Sequence, residues 1–141
     1  MKKKQILFLS MLIVLLMLIS CAPSTKQVLA TNESQVKLRA IQTRAFDTTD
    51  RDKMLRTVIA TLQDLGFIVD KADNVLGAVS ATKLDRYTLR MTVSVRPRGE
   101  TQLLVRANAQ YNITAVEDPE PYQQFFDALS KAIFLTAHQV D

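Results

Sequence analysis

The sequence predicts an α+β domain: a two-layer sandwich with two helices on one face of an antiparallel sheet, in the order β-α-β-β-β-β-α. Residues 87–96 and 103–112 alternate apolar and polar side chains around the turn-forming residues 97–100, a pattern typical of an antiparallel hairpin with one wet face. Residues 50–65 and 119–137 repeat apolar side chains at helical spacing. Packing both helices on one face of the sheet buries all three apolar surfaces together.

The first element is predicted to be a strand. Val36, Leu38 and Ala40 alternate with polar residues, and this period of two favours a strand that runs to about Phe46.

The next element is predicted to be a helix from about Asp50 to Leu65. Thr49 and Asp52 have the spacing of a capping box at its start. Gly66 follows the last apolar position, where a left-handed C-cap is expected.

Two more strands are predicted before the hairpin. One begins at residues 67–69, and the turn residues 73–74 separate it from a second strand over residues 75–83. Residues 85–86 are predicted to turn the chain into the hairpin.

A second helix is predicted to finish the fold. Asp118 is a good N-cap and Pro119 a good first helical residue. His138, the single histidine, lies past the last large apolar position and is interpreted as a solvated residue. The predicted apolar stripe consists of Tyr122, Phe125, Phe126, Leu129, Ile133 and Ala137, broadened by Phe134.

The first twenty residues have the pattern of an export signal. Three lysines at positions 2–4 precede the apolar run 6–19, which is shorter than the roughly 20 residues that span a bilayer. The sequence Leu18-Ile19-Ser20-Cys21 then resembles the bacterial lipobox, with leucine three positions before the cysteine and a small residue directly before it. This resemblance implies a covalent lipid on the Cys21 thiol and cleavage before Cys21.

These motifs divide the chain into a signal peptide at 1–20, a flexible tether at 21–34 and a folded domain at 35–141. Ala22 is not the aspartate that favours retention in the inner membrane of enteric bacteria, so the expected location is the outer membrane, with the domain facing the periplasm and the inner membrane as the alternative. Three of the 18 basic residues precede Cys21, which leaves 15 against 14 acids and a net charge of +1. The charge therefore gives no support to nucleic-acid binding.

The sequence predicts no enzyme and no cofactor other than the lipid. It has one cysteine, one histidine and no glycine-rich phosphate loop, which leaves no histidine-based triad or thiolate metal site. The alternative is a carboxylate- or metal-dependent periplasmic enzyme that uses Asp47, Asp50 and Asp52. Helix capping explains the same cluster without a ligand.

The wet face of the hairpin is the candidate binding face. Arg90, Arg96 and Arg106 project there among short polar side chains, and Leu104 is the apolar exception. Such arginines suit an acidic partner, a lipid headgroup or a glycan, although a solvated sheet face explains them without any ligand. No aromatic residue interleaves them, so single-stranded nucleic acid is not expected.

Parts of the chain resemble a group of small proteobacterial lipoproteins. The matching segments are 43–48 (TRAFDT), 62–67 (LQDLGF) and 118–126 (DPEPYQQFF), which span most of residues 43–135. The resemblance implies no activity and transfers no functional residue. The element order is also similar to the helix-grip domains of lipoproteins accessory to outer-membrane barrel assembly. The expected function is a non-catalytic, lipid-anchored periplasmic module that binds an envelope protein or assists envelope assembly, with no identified small-molecule substrate.

Overall fold

A computed structural model describes residues 3–5, 34–84 and 87–138, except for the side chains of residues 136–138. Contacts divide the chain into two units, Met1–Ser34 and Gln35–Asp141, and all the strands and both long helices belong to the second. Among the described residues, no helix has the length and apolar character needed to span a membrane.

Six strands and two long helices build the second unit. The sheet has the spatial order β1-β5-β4-β3-β2, with β6 also paired to β5 and every pairing antiparallel. The predicted α+β class is confirmed, and β6 is an addition to the predicted order. The strands are β1 (Thr43–Phe46), β2 (Ile68–Asp73), β3 (Ala78–Leu84), β4 (Thr88–Arg98), β5 (Gln102–Tyr111) and β6 (Thr114–Ala115), and the helices are α1 (Arg51–Asp64) and α2 (Glu120–His138).

The predicted first strand is wrong in its first half. Residues 34–41 are helical, and β1 begins only at Thr43. Leu38, Ile41 and Gln42 are the partly or fully buried positions of this segment, whereas Val36 is exposed. Their spacing of three and four residues is helical, and it outweighs the short alternation that favoured a strand.

Helix α1 has the predicted extent but a different N-cap. Asp50 is the cap, and its carboxylate accepts a hydrogen bond from the Lys53 backbone N–H at 2.9 Å, so the predicted capping box is wrong. At the other end Gly66 has φ +83°, and its N–H and that of Phe67 donate back to the carbonyls of Gln63 and Leu62. This is the predicted left-handed cap, in the form of a Schellman motif.

Strand β3 begins three residues later than predicted, because residues 74–77 form a turn. The Asp73 carboxylate accepts a hydrogen bond from the Leu76 N–H at 2.9 Å. Gly77 then takes φ +68°, a left-handed conformation that ends the turn. The predicted turn residues 85–86 lie outside the described residues.

Strand β4 continues through Pro97 and Arg98, which were predicted to belong to the connection. The Val95 N–H points to β3 and donates to the Gly77 carbonyl at 2.8 Å. Backbone N–H groups two residues apart point the same way along a strand. Position 97 lies beyond the last β3–β4 pair, so proline removes no ladder hydrogen bond there.

One hydrophobic cluster joins both helices to the sheet. The four leading members of the predicted α2 stripe are buried in this cluster, Ile133 packs against it, and Phe134 is 61% exposed instead of broadening the stripe. Placement of both helices on one face stays a prediction that this shared core supports. The cluster contains Met54, Leu55, Val58 and Leu62 of α1; Val79, Ala81, Met91, Val93, Val95, Leu103, Val105, Ala107 and Ala109 of the sheet; and Tyr122, Phe125, Phe126 and Leu129 of α2.

Tyr122 fills a gap in the hydrogen bonding of β5. Strand β1 covers the outer edge of β5 up to residue 106, and β6 covers it from residue 110. Between them the Gln42 carbonyl accepts from the Ala107 N–H, and the Tyr122 hydroxyl accepts from the Ala109 N–H at 3.2 Å. The same hydroxyl donates to the Val116 carbonyl at 2.7 Å and accepts from the Gln42 side-chain amide at 3.2 Å.

Candidate functional site

The sequence predicts three site features: Cys21, the arginine-bearing face and the aspartate cluster. Cys21, the predicted lipid-bearing residue, lies outside the described residues, as do residues 6–33 around it. The arginine-bearing face and the aspartate cluster lie within the described part. His138 ends α2, and its side chain is outside the described part.

The register of β4 and β5 brings the predicted binding residues to one face. Arg96 lies directly opposite Leu104, and Arg106 lies opposite Ser94, one residue pair further along the same face. Arg90 is also on this face, opposite Gln110, but six residues from Arg96. At about 3.3 Å per residue the two arginines are roughly 20 Å apart, so they cannot converge on one small ligand.

A fourth arginine belongs to this face and was missed. Arg98 was assigned to the connection, but as part of β4 it is exposed, pairs with Gln102 and shares the parity of Arg96. Within the described residues, none of the four guanidinium groups has an ion pair or a hydrogen bond; the one ion pair there joins Arg44 to Asp127 at 3.7 Å. We call Arg90, Arg96, Arg98 and Arg106, with the half-buried Leu104 among them, the arginine face.

The aspartate cluster is divided among separate local roles. Asp50 caps α1, and the Asp47 carboxylate accepts a hydrogen bond from the Gln102 side-chain amide at 2.6 Å. Asp52 lies in the first turn of α1, where a negative charge suits the helix dipole. Among the described residues, no group of three or more His, Cys, Asp or Glu side chains is arranged to hold a metal ion.

Sequence reasoning also missed a cleft of about 310 Å³ at one end of the sheet. Tyr87 and Tyr111 stand edge to face in it, with ring centroids 6.2 Å apart. Lys83 donates from Nζ to the Leu65 carbonyl at 3.0 Å and lies 5.9 Å from the centre of the Phe67 ring. The cleft is lined by Leu65, Phe67, Lys83, Tyr87, Leu89, Tyr111, Asp118, Glu120, Pro121 and Gln124, and we call it the tyrosine cleft.

Exposed apolar side chains gather at the end of the sheet where this cleft lies. Tyr87 and Ile113 are 67% and 94% exposed, and Tyr111 is 40% exposed. They come from the residue before β4, the turn after β5 and the end of β5. Concentrations of exposed apolar groups beside a cleft mark interaction sites. No local sequence motif predicts this group of side chains, because only the antiparallel register places the end of β5 beside the start of β4.

Two carboxylates line the tyrosine cleft at the start of α2. Asp118 accepts a hydrogen bond from the Glu120 N–H at 2.9 Å, and Glu120 accepts one from the Gln124 side chain at 3.1 Å. The Asp118 carboxylate thus bonds to a backbone N–H of the first turn, but the helix begins at Glu120, one residue later than predicted, so Asp118 lies one residue before the cap position. The cleft thus combines aromatic and aliphatic walls with two acids and one lysine already held by the protein.

Comparison with known proteins gives no relative for this chain: no family model matches it and no curated protein matches it. The resemblance to small proteobacterial lipoproteins therefore stays a prediction.

Proposed function

We propose that this chain is a non-catalytic, lipid-anchored accessory module of the bacterial cell envelope that binds a protein partner. The anchor is the lipid on Cys21, and the folded domain stands in the periplasm at the end of the tether 21–34, with the outer membrane as its location. The observation that carries the binding role is the exposed apolar surface around the tyrosine cleft.

The anchor is supported by the order of segments in the sequence. A cationic start, a short apolar core and the tetrapeptide ending in Cys21 precede a stretch of small and polar residues. A single fatty chain binds membranes marginally, at about 0.8 kcal/mol per buried CH₂, whereas two or more hold a protein stably. The diacylglycerol implied by the lipobox supplies such an anchor.

The partner chemistry follows from the lining of the tyrosine cleft. Tyr87, Tyr111 and Phe67 present ring surfaces that favour an aliphatic or aromatic side chain. Asp118 and Glu120 beside them favour a nearby basic residue. An extended protein segment with an apolar side chain next to lysine or arginine fits both, and a cleft of this volume accommodates one such side chain and its neighbours.

Replacing Cys21 with alanine is expected to abolish membrane attachment. The thiol is the only atom that accepts the diacylglycerol, so Cys21→Ala removes both the lipid and the cleavage that follows it. Incorporation of a clickable fatty acid and membrane fractionation measure the two effects. Ser24→Ala, a change within the tether, is the matched control and should keep both. Lipid incorporation retained in Cys21→Ala would contradict the proposed anchor.

Photo-crosslinking in cells is expected to map the partner to the tyrosine cleft. A photoreactive residue placed at Tyr87 or Ile113 should give one discrete adduct, whereas the same residue at Val75 should give none. Val75 is the matched control because it is 89% exposed and lies in the turn between β2 and β3, at the opposite end of the sheet.

Substitution of Ile113 tests whether the crosslinked partner contacts this surface or only lies near it. Ile113→Ser should lower the adduct yield from position 87 several-fold, and Val75→Ser should leave it unchanged. Both side chains are almost fully exposed, and such surface changes alter stability by about 0.5 kcal/mol or less. Equal adducts from all three positions, or none from any, would show that the tyrosine cleft is not the binding surface.

A further inference from the structure

We propose that the arginine face lies on the anionic lipid surface in which the Cys21 lipid is anchored, so that it sets the orientation of the domain. This inference rests on the proposed anchor and adds a second membrane contact to it. Its occupant is the lipid headgroup layer and not a soluble acidic protein.

The arginine face carries an excess of positive charge. Strands β1, β4 and β5 together contain no aspartate or glutamate, and the arginine face carries four guanidinium groups with no partner among the described residues. Three carboxylates border it, and each accepts a hydrogen bond from an uncharged group: Asp47 from the Gln102 side chain, Asp70 from the Thr82 hydroxyl at 2.6 Å, and Asp73 from the Leu76 N–H. Glu100 lies in the β4–β5 turn. Four arginines on two adjacent strands, β4 and β5, therefore face outward without an ion-pair partner among the described residues.

The arginines of this face are widely spaced. Arg90 and Arg98 are eight residues apart on one strand, about 27 Å along the sheet. Side chains that far apart do not converge on a compact anion, but they match a surface on which phosphates recur at many positions. The guanidinium group pairs with phosphate through two parallel hydrogen bonds. Between the arginines the face carries the short side chains of Thr92, Ser94 and Asn108, which permit close approach to a flat layer.

The chain enters the domain beside the arginine face, and this favours a lipid surface over a soluble partner. The first strand residue after the tether and the helical segment 34–41 is Thr43, which pairs with Arg106 on β5. A flexible chain of 14 residues, the length of the predicted tether 21–34, has an average end-to-end distance of roughly 20 Å. The anchor therefore holds these arginines close to the headgroups at a high effective concentration, an advantage that no free protein partner has.

This orientation also lets the arginine face and the tyrosine cleft bind different partners. The tyrosine cleft is lined by Leu65, Pro121 and Gln124 of the helices and their flanks, and by Leu89 and Tyr111, which share the parity of the buried strand residues. With the arginine face on the lipid, the cleft is left open to a periplasmic partner.

The test uses the mature lipidated protein in vesicles. A cysteine replaces Asn108, which is exposed at the centre of the arginine face, or Gln123, which is exposed on α2 as the matched control. Because the Cys21 thiol is consumed in the thioether, a water-soluble maleimide reports only the introduced thiol. Vesicles contain phosphatidylcholine alone or with phosphatidylglycerol at about 30%, and the rate in detergent gives the unprotected reference.

The expected result is protection at position 108 only, and only with anionic lipid. Each arginine near an anionic surface contributes about a fivefold preference for the docked state, so the rate at Asn108→Cys should fall at least fivefold while the rate at Gln123→Cys stays unchanged. Two changes should restore the fast maleimide reaction at Asn108→Cys. One is the triple substitution Arg96→Gln, Arg98→Gln and Arg106→Gln. The other is about 1 M NaCl, which shortens the Debye length to about 3 Å.

Flotation of the vesicles separates the two proposals. Protein that does not float with the lipid overturns the anchor and the orientation together. Protein that floats but reacts equally fast at position 108 in both vesicles overturns only the orientation, and leaves the arginine face to a soluble acidic partner. Protection that is the same with and without phosphatidylglycerol also overturns it, because charge would then not be the cause.

Discussion

Gly77→Ala is expected to destabilise the domain by about 2–5 kcal/mol. Gly77 has φ +68°, and a Cβ there would meet the Arg51 guanidinium and lie 2.7 Å from the Val95 carbonyl oxygen. The left-handed conformation alone costs about 1–2 kcal/mol for a residue with a Cβ. Displacing the Val95 carbonyl adds to this, because the Val95 N–H is bonded to Gly77 itself. Urea unfolding measures the loss.

Gly99→Ala is the control that separates the cost of the steric clash from the cost of the left-handed backbone. Gly99 also has a left-handed backbone, with φ +62°, but a Cβ there has no atom within 4 Å. Its expected cost is therefore about 1–2 kcal/mol. A Gly77→Ala variant no less stable than Gly99→Ala would show that Arg51 and the strand ends move aside at no cost. The Arg51 Nη2 group bonds to the Val75 carbonyl at 2.9 Å, so that movement would also release the turn.

The two long helices and the hairpin could be predicted because their signals are local and repeated. Helix α1 combines a helical stripe with Gly66 at its end, and both were sufficient to place it within one residue of its observed ends. In the hairpin, ten residues of alternation on each side of Gly99 fix which side chains share a face. Arg90, Arg96, Leu104 and Arg106 were grouped correctly for this reason: parity along a strand needs no knowledge of distant contacts.

The short elements could not be predicted because distant partners decide them. Residues 34–41 alternate over too few positions to distinguish strand from helix, and their conformation depends on Ile41 packing against the core. Strand β6 has two residues, and its pairing with Gln110 and Tyr111 exists only because β5 already stands there. Pro97 predicted the end of a strand because proline cannot donate a ladder hydrogen bond. Strand β3 ends before it reaches this position, so no such hydrogen bond is lost there.

The tyrosine cleft was missed because its residues come from five separate stretches of sequence. Tyr87 and Tyr111 are 24 positions apart, and each fitted the hairpin pattern as one more core-facing apolar residue. Their partial exposure arises because they lie at the end of the sheet, beyond the point where α1 stops at Asp64 and α2 starts at Glu120. Strand parity predicts the side of the sheet, but the coverage of that side depends on where the helices end.

Tyr122→Phe is expected to destabilise the domain by about 2–4 kcal/mol, although it removes one oxygen and leaves the ring in place. The hydroxyl is fully buried and serves three groups: the Ala109 N–H, the Val116 carbonyl and the Gln42 side-chain amide. Without it, a strand N–H on β5 and a loop carbonyl both lose their partner away from water, and each such loss costs about 1–3 kcal/mol. Thermal unfolding should show a midpoint lower by roughly 10–25 °C.

The loss of stability is expected because the Tyr122 hydroxyl is buried, and removing a hydroxyl from an exposed tyrosine should not reproduce it. Tyr87→Phe removes the same atom from a ring that is 67% exposed and is expected to change stability by about 0.5 kcal/mol or less. Because the Tyr122 hydroxyl stands where β1 has ended and β6 has not begun, its loss should also raise the amide exchange of Ala109 and Val116 more than that of Val93 at the centre of β4. Uniform exchange, with stability unchanged, would mean that water or a shifted β6 replaces the hydroxyl and that the two short edge strands hold β5 without it.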